Sequence, residues 1–148
     1  MRSRVVQAGP DTVVVAVLDP GDDAVAALGD LAHERELASS QLTAVGAFER
    51  AVVGWFDRAA KEYRRIPIDE QCEVLSLMGD VAEGADGPQL HMHAVLGLSD
   101  GTTRGGHLLE GLVWPTLEVV IRESPTPLHK TNRPDIGLAL IDLDADRA

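Results

Sequence analysis

Three histidines lie close together in the sequence and are the strongest candidates for chemistry. His91 and His93 are separated by one residue, and His107 follows the pair Gly105-Gly106. Side chains two positions apart on a β-strand point to the same face, so His91 and His93 would lie side by side. Three imidazoles without a fourth protein ligand are typical of a zinc site that keeps one coordination position open.

The position of the third histidine depends on the turn that leads back to it. A three-residue loop, Ser99-Asp100-Gly101, with its glycine in the left-handed conformation, would place Leu98 opposite Thr102. Counting outward along both strands, His93 would then lie opposite His107. Opposed Cβ atoms are about 4.5–5.5 Å apart, which imidazole side chains can bridge through one ion.

A different turn would separate the histidines. A two-residue Asp100-Gly101 turn shifts the register by one residue and moves His107 to the opposite face. The metal interpretation therefore requires the longer loop, or a compensating bulge at Gly105-Gly106. The alternative is three histidines on a polar strand face that bind no metal.

Two further residues are candidates for catalysis. Glu49 follows Gly46-Ala47-Phe48 at a predicted strand junction, where a carboxylate could act as an acid or base or as an additional ligand. Arg133 lies in a proline-containing loop, and its planar guanidinium could bind an anionic substrate. Each has a simpler alternative, which is an exposed turn glutamate for Glu49 and a surface arginine or subunit salt bridge for Arg133.

Composition limits the classes of function. The 148 residues, 45% of them hydrophobic, are enough for one domain with a sizeable core, predicted to span residues 1–148. With 13 basic and 24 acidic residues the net charge is −11, which disfavours unaided binding to nucleic acid or to a membrane surface. A single cysteine, Cys72, cannot form an internal disulfide, which favours a cytoplasmic location.

The pattern of apolar residues predicts one helix and many strands. Asp22 or Asp23 would cap a helix over about residues 22–38, because apolar residues recur there at helical spacing. The remaining elements are predicted strands, at Thr12–Leu18, Gln41–Ala47, Arg50–Phe56, Glu62–Ile68, Cys72–Val81, the histidine hairpin Gln89–Val113, Leu117–Arg122 and Ile136–Leu143. This order predicts an α+β fold, a mostly antiparallel sheet with the helix packed on it.

Several segments together resemble the plants and prokaryotes conserved domain, known as PPC or PCC. The resemblance runs over roughly residues 4–143, through 43–48, 73–79, 91–94, 99–101 and 105–111. It implies a homotrimer, and it implies that His91, His93 and His107 hold a zinc-like divalent metal. The family's fold is also similar to that of acetolactate decarboxylase, whose zinc is held by three histidines.

The sequence is consistent with two functions. The first is a metal-dependent enzyme, a hydrolase or decarboxylase acting on a small anionic metabolite, with Glu49 as acid or base and Arg133 as the anion binder. The second is a regulatory or interaction module without catalysis. In plant members of the family the domain accompanies separate DNA-binding segments. The basic core of such segments is missing from this sequence.

Overall fold

The computed structural model describes residues 1–7, 9 and 11–145, which form one helix and a sheet of nine strands. In chain order the elements are β1 (Arg2–Gln7), β2 (Thr12–Leu18), α1 (Ala24–Glu34), β3 (Ser39–Asp57), β4 (Glu62–Ile68), β5 (Cys72–Gly84), β6 (Gly87–Gly97), β7 (Thr103–Glu123), β8 (His129–Arg133) and β9 (Leu138–Asp142). The predicted class is confirmed: a largely antiparallel sheet carries one short helix.

The helix begins where its capping residue predicts and ends earlier than expected. Asp23 is the N-cap, and its side chain accepts a hydrogen bond of 2.9 Å from the backbone N–H of Ala26. The prediction that the helix continues to about residue 38 was wrong, because Glu36 adopts a left-handed conformation with φ of 52°. The chain turns there, which lets Leu37 enter the core.

Four long strands form a closed circuit of pairings around the core. β3 pairs with β5 and with β7, while β6 pairs with the same two strands from the other side. The helix packs against β6 and β7. The core inside this circuit consists mainly of leucine, valine and alanine side chains, together with the aromatic ring of Phe48. The largest fully buried side chains include Phe48, Leu18, Leu28, Leu31, Leu42, Ile68, Leu77, Leu96 and Leu117.

Two predicted breaks within strands are absent. The expected strands Gln41–Ala47 and Arg50–Phe56 are one strand, β3, which changes register at Gly46. Gly46 has φ of +151°, and a Cβ atom there would lie 2.2 Å from the carbonyl oxygen of Thr116, so only glycine fits this close approach. Likewise, the predicted separate strand Leu117–Arg122 is the end of β7, which is continuous from Thr103 to Glu123.

The end of the described chain forms a hairpin that was only partly predicted. The segment from Ser124 to Pro134, predicted to be a loop, contains β8, and β8 pairs with β9. Lys130 of β8 has a nearly buried side chain, 5% exposed, beside β5. None of the helices formed by the described residues has the length and apolar content needed to cross a bilayer.

Candidate metal centre

The turn between β6 and β7 has the geometry that the histidine prediction required. Gly101 is left-handed with φ of +83°, and the N–H of Leu98 donates to the carbonyl of Thr102 at 2.9 Å. The three-residue loop sets the register so that His93 lies directly opposite His107. The direct pairing of β6 with β7 ends at this pair of histidines.

The structure brings the three histidines together. Their ring centroids are 5.1 Å (His91 to His93), 5.3 Å (His91 to His107) and 5.4 Å (His93 to His107) apart. One ligand atom from each ring lies within 4.8 Å of the other two. The Nε2 atoms of His91 and His93 are 3.2 Å apart. Two nitrogens bound tetrahedrally to zinc at about 2.0–2.1 Å would be about 3.3 Å apart, so this pair already has the required spacing.

The two glycines before His107 allow the backbone to approach both neighbouring strands. A Cβ atom at Gly105 would lie 2.7 Å from the carbonyl oxygen of Ala94, and one at Gly106 would lie 2.5 Å from that of Gly54. Real Cβ atoms do not approach other atoms so closely. Glycine at both positions therefore lets β7 lie close to β6 and β3 at the point where His107 enters the site.

His107 is the most enclosed of the three imidazoles. Its ring stacks on Tyr63 of β4, with centroids 4.5 Å apart and planes inclined by 19°. Its Nδ1 atom is buried and has no hydrogen-bond partner among the described residues. Burial, followed by the nearby charges of His91, His93 and Lys130, lowers the pKa of His107 to about 4. At neutral pH this imidazole is uncharged, as a metal ligand must be.

The other two rings are more open to solvent. His93 is exposed, yet partial burial and the proximity of His91 lower its pKa as well. His91 Nδ1 lies 3.1 Å from Asp80 Oδ2, and Asp80 Oδ1 lies 2.6 Å from Lys130 Nζ. Burial would raise the pKa of Asp80, but its hydrogen bonds with His91 and Lys130 lower it below the ordinary value.

These observations favour a metal site over three unrelated surface histidines. The donor set is all nitrogen, two of its rings have lowered pKa values, and one buried ring nitrogen lacks a protein partner. Imidazole suits zinc and neighbouring divalent transition metals. The residues present therefore fit a divalent metal bound by His91, His93 and His107.

A cavity opens beside the histidines. Its volume is about 400 Å³, and it is bounded by the β8–β9 hairpin on one side. The lining combines polar groups with leucine and alanine side chains: Tyr63, Gln89, Leu90, His91, His107, Lys130, Leu138, Ala139 and Leu140. A small molecule held there would touch two of the three histidines.

The structure does not bring Glu49 or Arg133 to the histidines within one chain. Glu49 is exposed, pairs with Arg50 at 3.3 Å, and lies five residues along β3 from Gly54, about 17 Å at 3.3 Å per residue. Gly54 is the residue of β3 that pairs with His107. The guanidinium of Arg133 forms two hydrogen bonds, of 3.1 and 3.0 Å, with Asp135. Neither residue lines the cavity.

Three residues at the site were not predicted from the sequence. Asp80 could have been found, because a two-residue loop at 85–86 would place it directly opposite His91, as the structure does. Tyr63 and Lys130 carry no such local signal, since their strands, β4 and β8, pair with neither of the strands that carry the histidines.

Solved structures of similar proteins share this fold. A metal-containing protein from Archaeoglobus fulgidus is 30% identical, with 95% of this chain and 96% of that chain covered and a TM-score of 0.80. A protein from Bacteroides thetaiotaomicron, whose name suggests DNA binding, is 25% identical, with 96% and 98% covered and a TM-score of 0.86. A Staphylococcus aureus protein similar to α-acetolactate decarboxylase shares the fold more distantly, at 14% identity, 80% and 52% coverage and a TM-score of 0.53.

Sequence comparison gives the family. Over 130 residues the chain is 29% identical to the bifunctional protein GlmU of Synechococcus, covering 86% of this chain and only 20% of that much longer protein. The family model of the Plants and Prokaryotes Conserved (PCC) domain matches residues 6–125, which include all three histidines. The chain belongs to the Plants and Prokaryotes Conserved domain family, as its motifs had indicated.

Proposed function

We propose that this protein binds a divalent transition metal, preferably zinc, through His91, His93 and His107, and uses it to act on a small anionic metabolite. The observation that carries the proposal is the convergence of three ring nitrogens within 4.8 Å of one another. The similar Archaeoglobus fulgidus protein, described as metal-containing, supports the same conclusion.

The charge at the site favours an anionic ligand. Three neutral imidazoles do not compensate the charge of a divalent cation. The carboxylate that contacts His91, that of Asp80, is already paired with Lys130. An anion in the adjoining cavity would therefore meet net positive charge, although the chain as a whole carries −11.

The chemistry that we propose is hydrolysis or decarboxylation. When bound, the metal would supply Lewis acidity and an open coordination position for water or for a substrate oxygen. The protein itself would hold three neutral imidazole donors on one side of the metal. Tyr63, Lys130 and the β8–β9 hairpin form the walls of the adjoining cavity. Roles for Glu49 as acid or base and for Arg133 as anion binder stay predictions, and would require another copy of the chain to bring them to the site.

We also propose that the protein is a homotrimer. An outer apolar patch, formed by Val45, Leu75, Met78, Val95 and Val120, is 44–58% exposed. Met78 lies directly opposite His93 on the neighbouring strand, so the patch and the metal centre share one face of the sheet. Neighbouring exposed apolar side chains of this kind mark an interaction surface, and a second copy of the chain would cover them beside the site.

Elemental analysis tests the metal site. Purified wild-type protein is expected to contain one metal ion per chain, and a His93→Ala variant to lose it while circular dichroism shows the fold retained. His33→Ala is the matched control, because His33 lies on α1, outside the cluster. Stoichiometric metal in His93→Ala would contradict the proposed ligand set.

Cobalt substitution tests the open coordination position. The visible absorption of Co²⁺-loaded protein should change when acetohydroxamate, a small anionic chelator, is added. A spectrum that does not respond would show a closed site, and would overturn the enzymatic part of the proposal while leaving metal binding intact.

Sedimentation velocity tests the trimer. The wild-type protein is expected to sediment as a trimer and Met78→Asp as a smaller species. Leu143→Asp is the control, because Leu143 is 76% exposed and lies outside the patch. A monomeric wild-type protein would contradict the proposed assembly.

A further inference from the structure

A carboxylate and an ammonium group lie next to the histidines where β5, β6 and β8 meet. Asp80 accepts a hydrogen bond of 3.1 Å from His91 through Oδ2, and its Oδ1 lies 2.6 Å from Lys130 Nζ. Lys130 also donates to the carbonyl of Gln89 at 3.2 Å. The three side chains become less exposed in order, with His91 at 45%, Asp80 at 30% and Lys130 at 5%.

These contacts determine which nitrogen of the His91 ring carries the proton. An ionised carboxylate can only accept hydrogen bonds, so the Nδ1 atom of His91 must carry the proton that it donates to Asp80. In the neutral ring Nε2 then keeps its lone pair. This is the atom that lies 3.2 Å from Nε2 of His93, so the lone pair belongs to the nitrogen that faces the cluster.

Lys130 in turn fixes the carboxylate. Apart from this ammonium, Asp80 Oδ1 has no hydrogen-bond partner among the described residues. The start of β8 is held by backbone hydrogen bonds, from Glu83 N to Leu128 O at 2.7 Å and from Leu128 N to Ala38 O at 2.9 Å. Lys130 therefore reaches Asp80 from an anchored position, with little freedom to move away.

We propose that Asp80 is a positioning residue, which holds His91 as the Nδ1–H tautomer with Nε2 directed to the metal, and that Lys130 holds Asp80 in place. The β8–β9 hairpin, which bounds the cavity, is thereby coupled to the metal centre through one nearly buried lysine. The effect on metal affinity rests on the proposed function, whereas the effect on the His91 tautomer does not.

Zinc affinity is the first measurement, made by competition with a chromogenic chelator. Asp80→Ala is expected to lower the affinity about 10- to 100-fold, which is typical for the loss of a group that orients a metal-binding histidine. Lys130→Met should also weaken binding, and Lys130→Arg should restore much of it. Glu83→Gln is the matched control at the same β5–β8 junction, because Glu83 contacts His129 and none of the three metal ligands.

A loss of packing could also lower affinity, so a second readout concerns orientation alone. Nitrogen NMR of metal-free protein at neutral pH should show His91 as the Nδ1–H tautomer in the wild type and in Glu83→Gln. Asp80→Ala should show the mixture of an unrestrained imidazole. If Lys130→Met fails to fold, the double variant Asp80→Ala/Lys130→Met removes both charges and the acceptor together and should show the same mixture.

The outcomes separate this inference from the proposed function. An Asp80→Ala variant that keeps the Nδ1–H tautomer, or that binds Zn²⁺ within about twofold of the wild type, would overturn the positioning role. A wild-type protein that binds no Zn²⁺ but shows an Asp80-dependent tautomer would refute the proposed function and support the role of Asp80 in orienting His91.

Discussion

Tyr63 lies nearly parallel to His107, with the two ring centroids 4.5 Å apart and the planes inclined by 19°. The residues belong to β4 and β7, and both strands pair with the second half of β3. The His107 ring also contacts the rings of His91 and His93. The orientation of this imidazole is therefore set by packing, since its Nδ1 atom has no hydrogen-bond partner among the residues described.

Loss of this stacking should weaken metal binding. Stacked aromatic pairs contribute about 0.5–1.5 kcal/mol, equivalent to about 2- to 10-fold in affinity. We therefore expect Tyr63→Ala to raise the dissociation constant for Zn²⁺ by about this factor. Tyr63→Phe keeps the ring and should bind as the wild type does. Equal affinities in all three proteins, measured by chelator competition, would show that the stacking does not orient the ligand.

The stability of the metal-free protein should depend on the protonation of His107. Its pKa is about 4 in the folded protein and about 6.5 in the unfolded chain, which therefore binds the proton first as the pH falls. The stabilising contribution is fully present above pH 6.5 and is lost between 6.5 and 4. The lowered pKa of His93 acts in the same direction.

Urea denaturation at pH 7.5 and pH 5 measures this effect. The free energy of unfolding should fall less between these two pH values in His107→Gln than in the wild type. Identical pH dependence in the wild type and His107→Gln would contradict the lowered pKa.

A side chain at residue 106 should damage both the fold and the site. In Gly106→Ala the new Cβ atom would lie 2.5 Å from the backbone carbonyl of Gly54, so β3 and β7 must separate. Overpacking of this kind costs about 1–3 kcal/mol, and the zinc affinity should fall with the stability. Gly29→Ala is the control, because nothing lies within 4 Å of its Cβ position on the helix. Unchanged thermal unfolding of Gly106→Ala would argue against this close approach.

Glu49 and Arg133 should not affect metal binding. Glu49→Gln and Arg133→Gln are expected to bind Zn²⁺ within about twofold of the wild type, because each side chain pairs with a neighbouring residue away from the histidines. A tenfold loss in either variant would mean that a neighbouring subunit brings that residue to the metal. Chelator competition on both proteins distinguishes the two outcomes.

The acidic character of the chain leads to a prediction about DNA. With a net charge of −11, the protein should show no measurable binding to duplex DNA even at low salt, where phosphate contacts are strongest. Fluorescence anisotropy across a salt series measures this. Binding that weakens steeply with added salt would instead favour the second function, a regulatory or interaction module.

The part of the site that was predictable is the part fixed by local geometry. The pairing of His93 with His107 follows from the two-residue period of a strand and from a glycine that permits a left-handed turn at Gly101. Tyr63 and Lys130 reach the site through the pairing of strands that are distant in sequence. No spacing along the chain encodes those contacts.

The fold was predictable in class and less so in the limits of its elements. The alternation of apolar residues identifies most strands. It also predicts a junction between two strands at residues 46–49, whereas β3 continues through this segment with a change of register at Gly46. The predicted helix is longer than the observed one, because the apolar pattern continues to Leu37 although the backbone turns at Glu36. A residue can continue a helical pattern in the core after the helix itself has ended.

His93 and His107 form the last rung of the β6–β7 ladder, and beyond them the two strands fork towards different partners, β5 and β3. Beyond this pair β6 and β7 are no longer paired with each other, so side chains must fill the gap between the two backbones. A metal ion bound by the histidines would connect the two strands at the point where they diverge. Metal binding should therefore slow amide hydrogen exchange along the short β6–β7 ladder, residues 93–97 and 103–107, without any new contact between the two strands.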